Sequence, residues 1–291
     1  MSPDPAPAAT RGYRYIEVRP VAGAIGAEIG GVDISRPLPG AAVEELRRAW
    51  LDYLVLFIPG QALTPQAQLD FARRFGEPME YPQLKGLPEH PLITPVIKLE
   101  HERINFGGVW HSDTTYLERP PMASMLYALE TPPQGGDTLF ANQYLAYETL
   151  SEGMQRLLSH LKAVHSDRNV AGPQANRNAQ RSTKVREDAD WRETVSAHPV
   201  VVTHPETGRK LLYVNRSYTQ GFEGMSAEES RPLLDYLLEH GHRPEFTCRF
   251  RWERGSIAFW DNRCCKHLAI HDAGPFRRVM RRTQIAGAPP V

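Results

Sequence analysis

The 291-residue chain lacks the features that mark secreted, nucleic-acid-binding and membrane proteins. It contains only three cysteines, and an odd number of which two are adjacent does not make a disulfide framework, which favours a reducing cytosol. Acidic and basic residues number 34 each, so no net charge attracts nucleic acid or an anionic membrane surface. No apolar run approaches the roughly 18 residues of a membrane span. We therefore expect a cytoplasmic protein with a small-molecule partner and with no nucleic-acid or membrane partner.

A dinucleotide-binding glycine fingerprint is also missing. Gly26, Gly30 and Gly31 have the wrong spacing, and residues 32–34 continue as a strand instead of opening a helix, so this stretch predicts a β-hairpin. The chain does contain 25 prolines and 22 glycines, which is typical of many turns between short strands. Short strands with a few inserted helices predict a mainly β fold with a double-stranded β-helix (jelly-roll) core.

Composition divides the chain into three kinds of segment. Residues 1–12 are rich in Pro and Ala and lack the basic start and apolar core of a signal peptide, so we expect a disordered tail. Residues 13–291 are enough for a single jelly-roll domain with a substantial core. Within them, residues 166–192 are almost entirely polar and carry five arginines, and we expect a mobile lid there.

Hydrophobic spacing predicts the main elements. Apolar residues at helical intervals predict helices over 41–53, 66–75, 149–164 and 226–238, the last opened by a capping box of Ser226 and Glu229. Compact apolar runs and alternation predict the principal strands. These lie at 54–58, 92–99, 122–129, 137–140, 200–203, 210–214, 246–252, 256–260 and 277–285.

One short motif points to a metal. His111 and Asp113 are separated by a single residue, and in an extended strand residues two apart project to the same face. They can then offer an imidazole and a carboxylate to one ion, and His267 could complete the set. Two histidines and one carboxylate with open positions suit non-heme Fe(II) oxygenases. Ordinary hydrogen-bonded loop residues are the alternative that the spacing alone leaves open.

Two arginines downstream of His267 predict an anion-binding strand. Arg278 and Arg282 are four positions apart, an even spacing, so a strand puts both on one face. Val279 and Met280 lie between them and indicate a partly buried strand. Buried arginines need anionic partners, and a carboxylate is the natural bidentate one.

Taken together, these motifs resemble the taurine dioxygenase family of Fe(II)/2-oxoglutarate-dependent dioxygenases. The resemblance runs from the opening of the ordered chain at Gly23–Asp33 to Arg282. Its parts occur in the order and spacing of that family. They are Trp110–Tyr116, Glu130–Thr138, Trp260–His267 and Arg277–Arg282.

The resemblance implies a role for each matching residue. His111, Asp113 and His267 would bind Fe(II), and Thr138 and Arg278 would hold the distal carboxylate of 2-oxoglutarate. The position of Arg282 implies a contact with the anionic group of the substrate or with the cosubstrate. The implied reaction consumes O₂, converts 2-oxoglutarate to succinate and CO₂, and hydroxylates the substrate. Family members that halogenate lack the carboxylate ligand, so Asp113 favours hydroxylation, with or without bond cleavage.

The substrate is less well specified. A histidine that taurine-cleaving members direct at the sulfonate is Tyr81 here, and an asparagine four residues before the first metal ligand is Gly107, so taurine is not the expected substrate. Tyr81 and Lys85 are candidate contacts for another small anionic organic substrate. Aryloxyalkanoates and alkyl sulfates are the classes that the resemblance suggests, and the family also implies a homodimer or homotetramer.

Two other classes of protein fit the same ligands. A zinc hydrolase would use the three side chains and a metal-bound water, but it leaves Thr138 and Arg278 without a role. A non-catalytic sensor of a small acid would keep the fold and the pocket without turnover.

Overall fold

The structure is a computed structural model that describes residues 12–103, 106–172, 182–183 and 191–291. Short strands dominate, with helices inserted between them, as the composition predicts. The strands are β1 (Glu17–Pro20), β2 (Ala27–Gly30), β3 (Val55–Ile58), β4 (Pro78–Met79), β5 (Ile93–Lys98), β6 (Ala123–Glu130), β7 (Thr138–Asn142), β8 (Lys162–Ser166), β9 (Val195–Pro199), β10 (Val201–Thr203), β11 (Lys210–Leu212), β12 (Thr219–Phe222), β13 (Thr247–Phe250), β14 (Ile257–Asp261), β15 (Cys265–Ala269) and β16 (Arg278–Ile285). The helices are α1 (Gly40–Tyr53), α2 (Pro65–Arg73), α3 (Gln143–Glu148), α4 (Glu152–Leu158), α5 (Arg168–Ala171) and α6 (Ala227–His240).

The larger sheet is buried on both faces. Its strands follow the order β1-β2-β3-β14-β6-β16-β4, and β5 pairs with the free part of β16. Alternation in β3 sends Leu56 and Ile58 toward α1 and α2, whereas Val55 and Phe57 enter the core on the opposite side. This double burial explains why residues 54–58 are a continuous apolar run instead of an alternating one.

The smaller sheet, β13-β7-β15, closes the other side of that second core. Phe140 and Cys265 from the smaller sheet pack with Phe57 and Trp260 from the larger one. Two mainly antiparallel sheets that enclose one core form the jelly roll that the sequence predicts. The candidate ligand His267 lies on β15, and Arg278 lies on β16, so the two sheets present them to a shared interior.

The predicted helix over 149–164 is wrong in its bounds. Helix α4 begins after its N-cap Ser151 and ends at Leu158, and residues 162–166 form strand β8 instead. That strand pairs with β9 and β12 in a separate three-stranded sheet. Local spacing could not reveal this, because the strand is stabilised by pairing with residues that lie about 30 or more positions away.

The predicted tail and lid fall largely outside the described residues. Residues 1–11 of the tail lie outside them, as do 173–181 and 184–190 of the lid. The described part of the lid contains the short helix α5, and its closing motion stays a prediction. No helix in the described ranges is both long enough and apolar enough to cross a membrane.

Candidate metal and cosubstrate site

The two candidate histidines are paired through their backbones. His111 donates its N–H to the carbonyl of His267 at 3.1 Å, and His267 donates back at 2.8 Å. Residues that exchange both hydrogen bonds in an antiparallel pair lie directly opposite each other, so their side chains share a face. The ring centroids are accordingly 4.1 Å apart. A short bridge between two distant segments therefore brings the two imidazoles together.

Asp113 completes the cluster from a turn, and not from the extended strand that the two-residue spacing suggests. The strand-like pairing is confined to His111, and the chain turns from Asp113 onward. Thr114 adopts φ +44°, a conformation that is uncommon for a residue with a side chain. The carboxylate still reaches the imidazoles, with Asp113 Oδ1 lying 3.6 Å from His111 Nε2 and 3.9 Å from His267 Nε2.

The ligand atoms of this cluster have free lone pairs. His111 Nδ1 lies 2.6 Å from the carbonyl of Val109 and donates its hydrogen there, so the Nε2 lone pair of the neutral ring faces Asp113. Burial and then the proximity of His111 hold the pKa of His267 well below its ordinary value, so the His267 ring is neutral at neutral pH. Two neutral imidazoles and one carboxylate are the donor set of a divalent transition metal, and the residues fit such an ion.

A hydrogen-bonded chain fixes the carboxylate. Ser124 donates to Asp113 Oδ2 at 2.6 Å, Asn262 Nδ2 donates to the Ser124 hydroxyl, and Trp260 Nε1 donates to Asn262 Oδ1. Oδ2 is thereby occupied, whereas Oδ1 faces the two imidazoles and has only a long contact, at 3.4 Å, with Arg282 Nη1. Burial alone would raise the pKa of Asp113, but the Arg282 guanidinium and the two imidazoles hold it well below its ordinary value. The sequence predicts a role for neither Ser124 nor Asn262, because no local pattern marks contacts between distant segments.

Thr138 and Arg278 line the same cavity as the two histidines. Trp252 donates its indole N–H to Thr138 Oγ1 at 2.9 Å, so the threonine hydroxyl keeps its own hydrogen to donate elsewhere. Within the part of the chain that is described, Nε and Nη2 of Arg278 are buried without a hydrogen-bond partner. Burial lowers the pKa of Arg278 to about 10, which leaves it charged at neutral pH. The pair can hold one end of a dianionic cosubstrate, and Trp252 is a contributor that the sequence did not reveal.

Arg282 lies between the cluster and a group of aromatic rings. Its Nη1 is 3.4 Å from Asp113 Oδ1, and its Cζ is 4.3 Å from the ring centroid of Tyr81. Tyr81 is buried, as a substrate contact would be, whereas Lys85 is exposed. The structure therefore brings Tyr81 and Arg282 to the site and does not bring Lys85 there in this conformation.

A second group of ligand types lies nearby, formed by His204, Asp261 and Cys264. His204 Nδ1 accepts two backbone N–H groups, so Nε2 carries the hydrogen and donates it to Asp261 Oδ2 at 3.0 Å. Arg263 occupies both oxygens of the same carboxylate. The ring nitrogens of His204 and the oxygens of Asp261 are therefore already hydrogen-bonded, and the group does not direct free lone pairs at a common point.

Comparison with known proteins then gives the family. Residues 17–284 match the family described as Taurine catabolism dioxygenase TauD, TfdA family. The chain belongs to this family. It is 35% identical over 276 residues to an alkylsulfatase of Acinetobacter baylyi, covering 94% of this chain and 86% of that protein. It is 36% identical over 278 residues to an alpha-ketoglutarate-dependent sulfate ester dioxygenase of Pseudomonas putida, covering 95% and 91%.

A solved structure agrees with this family. The fold resembles that of a taurine dioxygenase from Burkholderia xenovorans with a TM-score of 0.80 and 37% identity, covering 96% of this chain and 91% of that one. The protein is thus an Fe(II)- and 2-oxoglutarate-dependent dioxygenase that uses O₂ and acts on a small anionic organic substrate. The predicted jelly-roll fold, reaction class and cofactors are confirmed.

Proposed function

We propose that the dioxygenase hydroxylates the sulfate-bearing carbon of an alkyl sulfate, with Fe(II) held by His111, Asp113 and His267. The observation that carries the metal assignment is the orientation of three buried ligand atoms toward one another. The second nitrogen of His111 and the second oxygen of Asp113 are engaged by other partners. The two sulfate-ester relatives named above support the substrate class.

Thr138 and Arg278 hold the distal carboxylate of 2-oxoglutarate in this proposal. The threonine hydroxyl and the free guanidinium N–H groups are donors that border the ligand cluster, and a buried arginine with no acceptor is costly unless an anion satisfies it. Arg282 is then left for the anionic group of the substrate or for a further contact with the cosubstrate.

The protein groups position the reactants and exclude water. Bound Fe(II), with O₂ and 2-oxoglutarate, supplies the oxidising power, while the cosubstrate loses CO₂ and becomes succinate. The triad residues are all buried, which keeps bulk water from the reacting carbon. Asp113 keeps one oxygen on Ser124, so its orientation is fixed before any ligand binds.

Hydroxylation at that carbon leads to cleavage. One oxygen atom of O₂ enters the C–H bond next to the ester oxygen, and the other enters succinate. The resulting carbon carries both a hydroxyl and a sulfate group. Loss of the hydroxyl proton forms the carbonyl as the carbon–oxygen bond to sulfate breaks. The products are an aldehyde, inorganic sulfate, succinate and CO₂.

A screen of succinate release tests this function. Linear alkyl sulfates, aryloxyalkanoates, acylated amino acids and taurine are compared at saturating 2-oxoglutarate, with turnover in the absence of substrate subtracted. We expect alkyl sulfates to give succinate together with equal amounts of aldehyde and inorganic sulfate. Aryloxyalkanoates are the alternative class, and succinate with them alone would replace alkyl sulfates as the substrate.

The two other classes of protein make different predictions. A zinc hydrolase would release sulfate anaerobically with zinc and without 2-oxoglutarate. A sensor would bind the acid without forming succinate, and Asp113→Ala would leave its ligand response intact. We also propose a cytoplasmic homodimer or homotetramer, which cell fractionation and light scattering of the purified protein would check.

A further inference from the structure

Three buried tyrosines surround the guanidinium of Arg282. The rings of Tyr116 and Tyr218 lie 5.2 Å apart in an edge-on arrangement, and Arg282 stacks on the ring of Tyr81. Tyr218 is also a neighbour of the candidate metal ligand His111, with ring centroids 6.4 Å apart. The three tyrosines and Arg282 therefore form one buried group beside the metal cluster.

The hydroxyl of Tyr116 is a buried donor without an acceptor. Within the described residues it has no hydrogen-bond partner, although the side chain is only 1% exposed. Nε and Nη2 of Arg282 are buried and unpartnered as well. Tyr116 interacts electrostatically with Tyr81, Arg282 and Asp113, which puts it in the same neighbourhood. Buried polar groups normally find partners, so donors that share this lack indicate a common missing acceptor.

This group offers hydrogens, and the carboxylates near it are those of Asp113, which belongs to the metal cluster, and Asp167. Burial raises the pKa of Tyr116 and of Tyr218 well above the ordinary value, so both keep their hydrogens at neutral pH. The nearby carboxylate of Asp167 is already engaged by Gln83 Nε2 and by the backbone N–H of Thr194, each at 3.0 Å. An anion with several oxygens is the ligand that such a set of donors fits.

We propose that Tyr116 and Arg282 together bind the terminal oxygens of the sulfate group of the substrate, which makes Tyr116 a specificity-determining residue. This rests on the proposed function. In a forked pair with Arg282 both oxygens of a planar carboxylate lie in the plane of the guanidinium, whereas a sulfate monoester is tetrahedral and has a third terminal oxygen outside that plane for the Tyr116 hydroxyl. The enzyme should therefore prefer an alkyl sulfate to a carboxylate of the same length.

Calorimetric binding to the anaerobic Fe(II)/2-oxoglutarate enzyme tests the inference with hexyl sulfate and heptanoate. We expect the wild type to bind hexyl sulfate more tightly. Tyr116→Phe, which removes only the hydroxyl, should weaken hexyl sulfate binding by about ten-fold or more and should leave heptanoate binding nearly unchanged. The same variant should raise KM for hexyl sulfate and leave KM for 2-oxoglutarate unaltered.

Tyr127→Phe is the matched control. Tyr127 is also a buried tyrosine, but it packs in the core on the opposite face of the larger sheet, and its hydroxyl donates to the carbonyl of Gln61. This variant should bind both ligands as the wild type does. A general effect of losing a buried hydroxyl would appear in both variants and would overturn the inference.

The remaining outcomes separate this inference from the proposed function. If the wild type binds heptanoate as tightly as hexyl sulfate, or if Tyr116→Phe keeps the preference, the inference is wrong while sulfate-ester cleavage can stand. If the wild type binds hexyl sulfate with the expected Tyr116 dependence but forms no succinate above background, the anion site stands and the proposed substrate is wrong.

Discussion

The structure contains two buried clusters of similar composition in its described ranges. The first comprises His111, Asp113 and His267, and the second comprises His204, Asp261 and Cys264. In each, the ligand atoms lie within 4.8 Å of one another. Residue types and proximity therefore do not distinguish the two, although only the first has the properties of a metal site.

The clusters differ in where their hydrogens are held. In the first, Nδ1 of His111 donates a hydrogen bond to a backbone carbonyl, so the other nitrogen, Nε2, faces Asp113. In the second, two backbone N–H groups donate to Nδ1 of His204, so the hydrogen of the ring lies on Nε2 and is donated to Asp261. The direction of one hydrogen bond thus decides whether an imidazole is a ligand or a donor.

The carboxylates differ in the same way. Asp113 has one oxygen engaged by Ser124 and meets Arg282 only at 3.4 Å. Asp261 receives donors on both oxygens, with Arg263 at 2.6 to 2.9 Å and His204 at 3.0 Å. A carboxylate that is saturated with donors stabilises the fold, whereas one whose second oxygen faces two imidazoles and has only a long contact with an arginine is available to a cation.

Replacing Asp113 by Ala should have the largest effect on activity. Without the only carboxylate of the first cluster, the site has no anionic ligand for Fe(II). Loss of partners that merely orient ligands costs about 10- to 100-fold, so we expect succinate formation to fall by more than about 100-fold. Stopped assays with quantified succinate measure this. Turnover close to that of the wild type would remove Asp113 from the metal site.

Arg278→Leu should weaken the cosubstrate clamp. It removes the buried charge that faces Thr138, and a hydrogen bond to a charged group contributes about 1.5 to 3 kcal/mol. We therefore expect KM for 2-oxoglutarate to rise about 10- to 100-fold, with the affinity for Fe(II) alone unchanged. Initial rates over a range of 2-oxoglutarate concentrations provide the measurement. An unchanged KM would mean that another residue binds the distal carboxylate.

Ser124→Ala should loosen the metal site without removing a ligand. Asp113 would lose the donor on Oδ2, and such outer partners affect metal affinity by about 10- to 100-fold. Anaerobic Fe(II) titration measures the change. Ser230→Ala is the control. Ser230 is also buried, but it lies on helix α6 and its hydroxyl accepts from the backbone N–H of Phe222 instead of contacting a candidate metal ligand. Equal losses in both variants would argue against a specific role for Ser124.

Asp261→Asn should affect stability and leave activity nearly unchanged. The substitution removes the charge of one of two carboxylates that pair with the buried Arg263, the other being Glu206, and we expect a cost of about 1.5 to 3 kcal/mol of unfolding free energy. Urea unfolding measures that cost, and turnover per folded protein should match the wild type. A loss of iron binding in the folded variant would show that the second cluster also holds metal.

The same carboxylate gives a pH dependence. Burial would raise the pKa of Asp261, but Arg263 and His204 lower it to about 2, below its ordinary value of 3.8. The charged Asp261 carboxylate therefore contributes fully to the unfolding free energy above about pH 4, and this contribution is lost as the pH falls through about 2. This shift corresponds to roughly 2 kcal/mol. The stability difference between wild type and Asp261→Asn should shrink over that window, and a constant difference would contradict the assignment.

Spacing within a strand is the reason that much of the site could be predicted. Arg278 and Arg282 share a face of β16 as their even separation requires, and both line the cavity. The reaction class followed from the resemblance of several motifs in order. These signals are local in the sequence or are repeated across a family, so they can be recognised without knowledge of the tertiary structure.

The features that escaped prediction are all contacts between distant segments. Ser124 on β6 meets Asn262 in the turn after β14, and Tyr116 and Tyr218 meet from two separate turns. Residues 162–164 of strand β8 were predicted as helix, because the partners that make them a strand lie in β9 and β12. Neither composition nor periodicity carries information about such pairings.

Anaerobic titration with Fe(II) in the presence of 2-oxoglutarate tests the central claim most directly. We expect the wild type to develop a weak visible charge-transfer band that saturates at one Fe(II) per chain. Folded Asp261→Asn should saturate at the same value, and Asp113→Ala should develop no band. A full band in Asp113→Ala, or its loss in Asp261→Asn, would contradict the assignment of the metal to the first cluster.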